Sequence, residues 1–320
     1  MTTVDRSNGV VTALSRFESR AMGSPLRLTL GSVAPPPVGA RLWSTVLDEF
    51  ERAEAAMSRF RDASELTALN RKAGTVAVGR PSPRLRRALV SADRAWRVTG
   101  GRFDPRVLGD LDRLGYRGAA LDEPGAEVRT VKRADRVVRP VGRHGVTIAR
   151  PIDLGGIGKG LALRWATARL EQAGARDFLV EAGGDLAARG RDPDGERWQV
   201  GIEDPAGGED LAVIAASDLA VATSSIRVNR WWFDGRVVHH LLDPRTGEPA
   251  NDGLLAVTVA APDPAWAEVW SKALYLAGRP TIANEARSRG IAAWWTADDG
   301  ALEMTPAARA LTIWVAGEAD

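Results

Sequence analysis

The segment Ile152-Asp153-Leu154-Gly155-Gly156-Ile157-Gly158-Lys159-Gly160 limits what this chain can fold into more than any other stretch. Four glycines, one carboxylate and one lysine fall within nine residues, and a helical pattern follows at once. Backbone without Cβ atoms can turn sharply and lie close to a ligand. Free N–H groups at a helix start favour an anion. Of the 43 Lys and Arg residues only Lys72, Lys132, Lys159 and Lys272 are lysine, so a chain that takes its charge from arginine still puts a lysine here. Two readings fit the segment alone: a phosphate or pyrophosphate site, or a tight turn with a solvated lysine. It matches neither the dinucleotide fingerprint G-x-G-x-x-G nor the Gly-Lys-Ser/Thr of the P-loop.

Around it, strands clustered in the second half of the chain together with a few long helices predict an α+β fold. Leu26, Leu28 and Leu30 alternate with polar neighbours as a half-buried strand does. The proline run 34–37 reads as a loop. Leu42, Val46, Phe50, Ala53 and Met57 then recur at helical spacing over 40–58. A second helix is expected over 82–98, with Pro83 in its first turn. A third spans 158–173 and ends at Gly174. A fourth spans 264–276. Strands are expected at 178–180, 198–202, 211–215, 219–223, 237–242, 254–261, 291–297, 301–304 and 311–315. Residues 1–14 read as a flexible tail. No low-complexity linker or repeat divides 15–320, which reads as a single domain.

Composition removes several function classes. With no cysteine, disulfides, thiolate metal sites and cysteine nucleophiles are excluded. Net charge is only +2 and acids interleave with bases, which argues against a nucleic-acid surface. No run of about 18 apolar residues occurs, so no membrane insertion is expected. Met1–Arg20 lacks the apolar core of a secretory signal, and the expectation is a cytoplasmic protein.

Other segments carry chemistry-bearing residues. They are Ala21-Met22-Gly23-Ser24, Met57-Ser58-Arg59-Phe60 with Asn70, Gly101-Arg102-Phe103-Asp104-Pro105, Ala182-Gly183-Gly184-Asp185, Ala222-Thr223-Ser224, and His240 through Gly247. Each alone is ordinary turn composition. In this order and spacing, together with Asp153–Gly160, they resemble the ApbE family, the FAD:protein FMN transferases. The resemblance covers roughly residues 16–316 and implies an ApbE-like fold of mixed, mostly antiparallel sheets packed with a few long helices.

The resemblance implies an enzyme that binds FAD and cleaves its pyrophosphate. The FMN half would pass to a threonine or serine hydroxyl of an acceptor protein, with release of AMP and usually with Mg2+ bridging protein and pyrophosphate. Such chemistry needs charge neutralisation at the phosphates and a base for the incoming hydroxyl. By resemblance, His240 is that base and Lys159 supplies a cation. Imidazole suits the role by its pKa, and a strand histidine satisfied by neighbouring backbone is the plain alternative. Met22, Phe60, Asp153, Gly156 and Leu242 would contact the flavin or its phosphates. Arg102, Phe103 and Asp104 would line the adenine or ribose pocket. As core or turn residues, Met22, Phe60 and Asp104 would also be unexceptional.

This sequence departs from the family mainly at the implied metal ligands. Gly156, Glu268 and Ser271 are the candidates, with Lys272 where an oxygen ligand is usual. Lysine cannot ligate magnesium, which takes oxygen. Glu268 and Lys272 also read as an exposed i,i+4 ion pair, worth about 0.2–0.5 kcal/mol. Ser225 stands where glycine is usual, Arg164 where an acid is common, and Glu181 where asparagine is frequent. These departures leave open an FAD-binding protein without transferase activity, or a pyrophosphatase releasing FMN and AMP.

Overall fold

A computed structural model describes residues 15–116 and 136–318. The expected tail at 1–14 lies outside the described residues, as does Lys132. An eight-stranded sheet forms the centre. Its strands lie side by side in chain order: Arg16–Ala21, Ser24–Leu30, Phe178–Ala182, Asp185–Arg189, Ala220–Ser225, Leu254–Ala261, Ala292–Ala297 and Leu302–Met304. Pairing among the described strands is antiparallel throughout.

The two faces separate by the strand period of two. Leu26, Leu28, Phe178 and Val180 point to the side of the helices Pro36–Met57, Pro83–Val98 and Gly158–Gln172. Val257, Val259 and Trp295 continue that side under the helices Pro264–Tyr275 and Arg279–Ser288. Their neighbours Leu186, Val221, Ala260 and Trp294 point the other way. They pack on a small sheet of Trp198–Glu203, Asp210–Ala216 and Thr312–Val315. Burial on both faces is why the central strands are rich in alanine, valine and tryptophan rather than alternating with charge.

The long helices form where their spacing predicts them. Leu42, Val46, Phe50, Ala53 and Met57 are all buried on one face. Ser82 and Asp263 cap their helices, accepting from Leu85 N at 3.3 Å and Ala265 N at 2.9 Å. The first helix starts at Pro36, inside the run expected as a loop, because its orphan N–H positions tolerate proline. The expected strand over 237–242 is broken. One hairpin, Arg230–Phe233 with Arg236–His239, ends at His239, and a separate short strand begins at Leu242. His240 and Leu241 therefore leave the ladder between two strands.

Two hairpin turns come together at one end of the sheet. Ala21 pairs with Ser24 and Ala182 with Asp185, so each loop is two residues long. Gly183 and Gly184 have φ of 60° and 90°, as such a tight turn demands. Met22 takes φ 50° in the other, an uncommon left-handed conformation for a side-chain-bearing residue. Gly183 N donates to Pro25 O at 2.9 Å and ties the turns together.

Candidate active site

The glycine segment lies directly across from these turns. Two bonds hold it from behind: Asn70 Nδ2 donates to Ile152 O at 2.8 Å, and Ile152 N donates to Asn70 Oδ1 at 2.9 Å. Asn70 is buried, so its amide stands in for a neighbouring strand. Asp153 Oδ1 accepts from Gly155 N at 3.0 Å and fixes the turn. The same oxygen lies 3.5 Å from Arg59 Nε. Arg59 is itself buried; it donates to Tyr116 O at 2.7 Å and covers the Phe60 ring at 4.4 Å. Phe60 is 56 % exposed, so it is not the core residue its hydrophobicity suggests.

The helix Gly158–Gln172 has no side-chain N-cap of its own. Glu268, from the helix Pro264–Tyr275, supplies one: its Oε2 accepts from Gly160 N at 2.7 Å. The two helices touch backbone to backbone. A Cβ on Gly160 would meet Pro264 O at 2.5 Å and Ala265 Cα at 2.6 Å. Burial pushes the Glu268 carboxyl up to about 7, against the pull of Lys159. Lys159 forms an ion pair with the buried Asp185, whose other oxygen accepts from Thr223 N at 3.2 Å. Burial opposes the charge on Lys159, but Asp185 and Glu268 outweigh it and hold its pKa above the ordinary value.

Lys272 reaches across one helical turn from Glu268, and the pair predicted from i,i+4 spacing does not form. Glu268 is 5 % exposed and spends its carboxylate on Gly160 N. Lys272 Nζ instead lies against Gly156, 2.7 Å from where a Cβ would stand, and the Phe103 ring comes within 3.0 Å of the same point. Gly156 is thus glycine because an ammonium and a ring fill the space. Among the described residues Lys272 makes neither ion pair nor hydrogen bond. Burial lowers its pKa, against Asp153 and Glu268.

The residues here do not fit the magnesium ion implied by resemblance at Gly156, Glu268 and Ser271. Ser271 Oγ donates to Glu268 O at 3.0 Å and shares a hydrogen bond with Ser224 Oγ at 2.9 Å. With Glu268 capping a helix and an ammonium at Gly156, no free set of oxygens converges among the described residues. Among the described residues no cluster of three or more His, Cys, Asp or Glu is placed to hold a metal.

Among the described residues His240 carries a buried Nδ1 without a hydrogen-bond partner, while its backbone N donates to Asn229 O at 3.3 Å. The plain reading, a ring satisfied by nearby backbone, is therefore not met at Nδ1. Burial first, then the charges of Lys272, His239 and Lys159, push the imidazole down to about 3. It is neutral at pH 7, and those charges mark it as a neighbour of the two lysines.

The remaining expected residues divide. Met22 Cε comes within 3.5 Å of a Cβ position on Gly158, so Met22 lies at the loop. Phe103 is buried beneath Gly156 rather than facing open space. Asp104 holds Arg106 through both oxygens, at 2.8 and 2.7 Å. It borders a cavity of about 360 Å³ lined by Trp96, Arg97, Gly101, Pro244 and Arg245. Arg102 pairs with Glu285 at 2.6 Å. Leu242 is 3 % exposed and packs with Leu111, Leu114 and Val238, so its side chain belongs to the core. Asp185, Arg59 and Asn70 each stood in a quoted segment, yet only the fold reveals what they hold.

The ApbE family model matches residues 22–295. A Treponema pallidum protein named FAD:protein FMN transferase is 30 % identical over 285 residues, which is 80 % of this chain and 77 % of that protein. Its namesake from Haemophilus influenzae is 27 % identical over 254 residues, 75 % of this chain and 73 % of that one. Against the Klebsiella pneumoniae namesake the match is 30 % identical over 55 % of this chain and spans only 51 % of the relative's length. Among solved structures, the ApbE protein of Thermotoga maritima superposes with TM-score 0.80 at 25 % identity, over 93 % of this chain and 99 % of that one. The apo form of Pseudomonas stutzeri flavinyl transferase ApbE gives 0.78 at 26 % identity, over 93 % and 96 %. With its glycine loop, paired turns and half-buried Lys159 inside the matched span, the chain belongs to the ApbE family.

Proposed function

We propose that this chain is an FAD:protein FMN transferase, moving the FMN moiety of FAD onto a threonine or serine hydroxyl of an acceptor protein and releasing AMP. One observation carries the reading: the glycine loop, the Lys159–Asp185 pair and a neutral His240, whose Nδ1 has no hydrogen-bond partner among the described residues, share one neighbourhood. The cavity beside Asp104 offers room for the nucleotide half. The names of the relatives support the same activity.

In the step itself the acceptor oxygen attacks the FMN phosphorus. Its proton passes to the neutral imidazole of His240. The bond from that phosphorus to the bridging oxygen breaks, and the oxygen leaves with the electron pair as the phosphate of AMP. Lys159 and the backbone N–H groups at the helix start face the charge that builds on the phosphate oxygens. A pyrophosphate beside His240 also offsets the two lysine charges that depress the imidazole, so the bound substrate raises its basicity. Phe60, with Arg59 behind it, provides an exposed ring for the isoalloxazine, and Met22 covers the loop. Residues 15–320 act as one unit in this scheme.

The test is incubation with FAD and an FMN-accepting protein domain, read by intact mass. The expected result is an acceptor heavier by FMN less one water, with AMP released in equal amount. FMN and AMP appearing with an unmodified acceptor would make the chain a pyrophosphatase, and no consumption of FAD would remove the enzyme reading.

A further inference from the structure

We infer that the ammonium of Lys272 is a built-in cation for the ligand's pyrophosphate, so that this chain binds FAD without a divalent metal. The inference rests on the flavin reading above and deepens it. Its starting point is position: Lys272 Nζ stands 2.7 Å, and the Phe103 ring 3.0 Å, from where a Cβ on Gly156 would be, at the centre of the loop. Lys272 is half-buried, and a cation drawn partly out of solvent normally finds a carboxylate, because a desolvated charge without a partner is costly. Three carboxylates lie nearby, and each is engaged elsewhere. Glu268 caps Gly160, Asp185 holds Lys159, and Asp153 braces Gly155 and faces Arg59. Lys272 is thus left without an ion-pair partner while its neighbours are paired around it. The missing partner is an anion, and in the Gly155–Gly160 loop it touches, the N–H groups of Gly156 and Lys159 make no hydrogen bond among the described residues and can receive one.

The same geometry accounts for the poor magnesium fit. An ammonium at Gly156 occupies the space and supplies the sign of charge that an ion would bring. The oxygens of Ser271 and Glu268 are then free to be structural, and they are. A lysine is a single point charge on a flexible stem, whereas magnesium clamps several oxygens at fixed geometry. The substitution therefore preserves anion binding more readily than it preserves fine positioning.

Calorimetric titration of the full chain with FAD and with riboflavin, in excess EDTA and again in excess magnesium, tests this. The unmodified protein should bind FAD equally, within about twofold, in both media. Lys272→Met keeps the length of the side chain and removes its charge. It should weaken FAD in EDTA by about thirtyfold or more, as loss of one partner of a close charge pair does. Riboflavin, which has no phosphate, should bind that variant as it binds the parent, a contrast that a merely structural lysine would not produce. Lys72→Met, on an exposed surface, should change neither. Magnesium-dependent FAD binding by the unmodified protein overturns the inference, as does Lys272→Met binding FAD with parental affinity. The EDTA comparison stands alone if the variant fails to fold. FAD bound equally in both media but never transferred sinks the transferase reading and leaves this one supported; no FAD binding in either medium overturns both.

Discussion

Gly160→Ala is the sharpest test of how the site is built. The new Cβ would stand 2.5 Å from Pro264 O, 2.6 Å from Ala265 Cα and 2.7 Å from Pro264 C. All three are backbone atoms, so no rotamer change relieves the overlap. Reaching van der Waals distance requires the helices to separate by about 1 Å. Such overpacking costs about 1–3 kcal/mol. The same displacement stretches the bond from Gly160 N to Glu268 beyond hydrogen-bond length, and a buried unmet donor costs about 1–3 kcal/mol more. Alanine's better helix propensity returns about 1 kcal/mol. The net loss is about 3 kcal/mol, or about 4–5 °C in Tm for a chain of this length. Gly109→Ala is the control. It lies in the helix Leu108–Arg113, and none of the described residues stands within 4 Å of its Cβ position. There the substitution should stabilise by about 0.5–1 kcal/mol. Thermal unfolding followed by circular dichroism reads both. If Gly160→Ala gained stability as Gly109→Ala does, the close approach of the two helices would be wrong.

Three further outcomes are expected. Glu268 and His240 should bend the pH dependence of stability in opposite senses. Glu268 rises from 4.5 to about 7 on folding, so its contribution is full below pH 4.5 and lost as pH rises to about 7. His240 falls from 6.5 to about 3, so its contribution is full above pH 6.5 and lost as pH falls toward 3. Urea midpoints across pH should therefore gain a rising slope between about 4.5 and 6.5 in Glu268→Gln and a falling one in His240→Gln; unchanged profiles would place neither group in a dry site. His240→Ala should retain FAD by fluorescence titration yet lose transfer by about a hundredfold or more, and a fully active variant would remove it as base. Asn70→Ala leaves Ile152 N and O without their partner and should cost about 2–4 kcal/mol in urea unfolding, together with weaker FAD binding; a neutral result would mean that the loop holds itself.

The parts of this molecule that obey a short period were legible in the sequence. The helices with buried residues every third or fourth position stood where their spacing placed them. The helix Arg279–Ser288 did not show, because only Ile282 and Ala286 on it are buried. The strand Arg16–Ala21 was missed because it lies at the sheet's edge, half-exposed and charged. In the site, the glycine loop and Lys159 could be read locally. Their partners could not, since Lys159 meets Asp185 across 26 residues and Gly160 meets Glu268 across 108. The Glu268–Lys272 pair failed for a related reason. Spacing says which side chains share a helix face, but a buried neighbouring helix offered Glu268 a better partner than its own fourth neighbour. His240 was found by resemblance, and the strand break that frees it was invisible to an alternation pattern running through it.

The order of strands in the central sheet also sets when the site comes into being. Most neighbours in that sheet are separated by modest excursions, but Ser24–Leu30 pairs with Phe178–Ala182. Joining them closes a loop of roughly 150 residues, the kind of long closure that slows folding more than it weakens the finished state. The first hairpin leaves the ribosome early and must wait for its partner strand to be made. It carries Met22 to Gly158 and Ser24 to Gly183, so the glycine loop has no lid until that clasp shuts. On the function proposed above, flavin should then bind only to chains in which these two strands have paired. Added during refolding, it would draw the population through that pairing by mass action without hastening earlier steps.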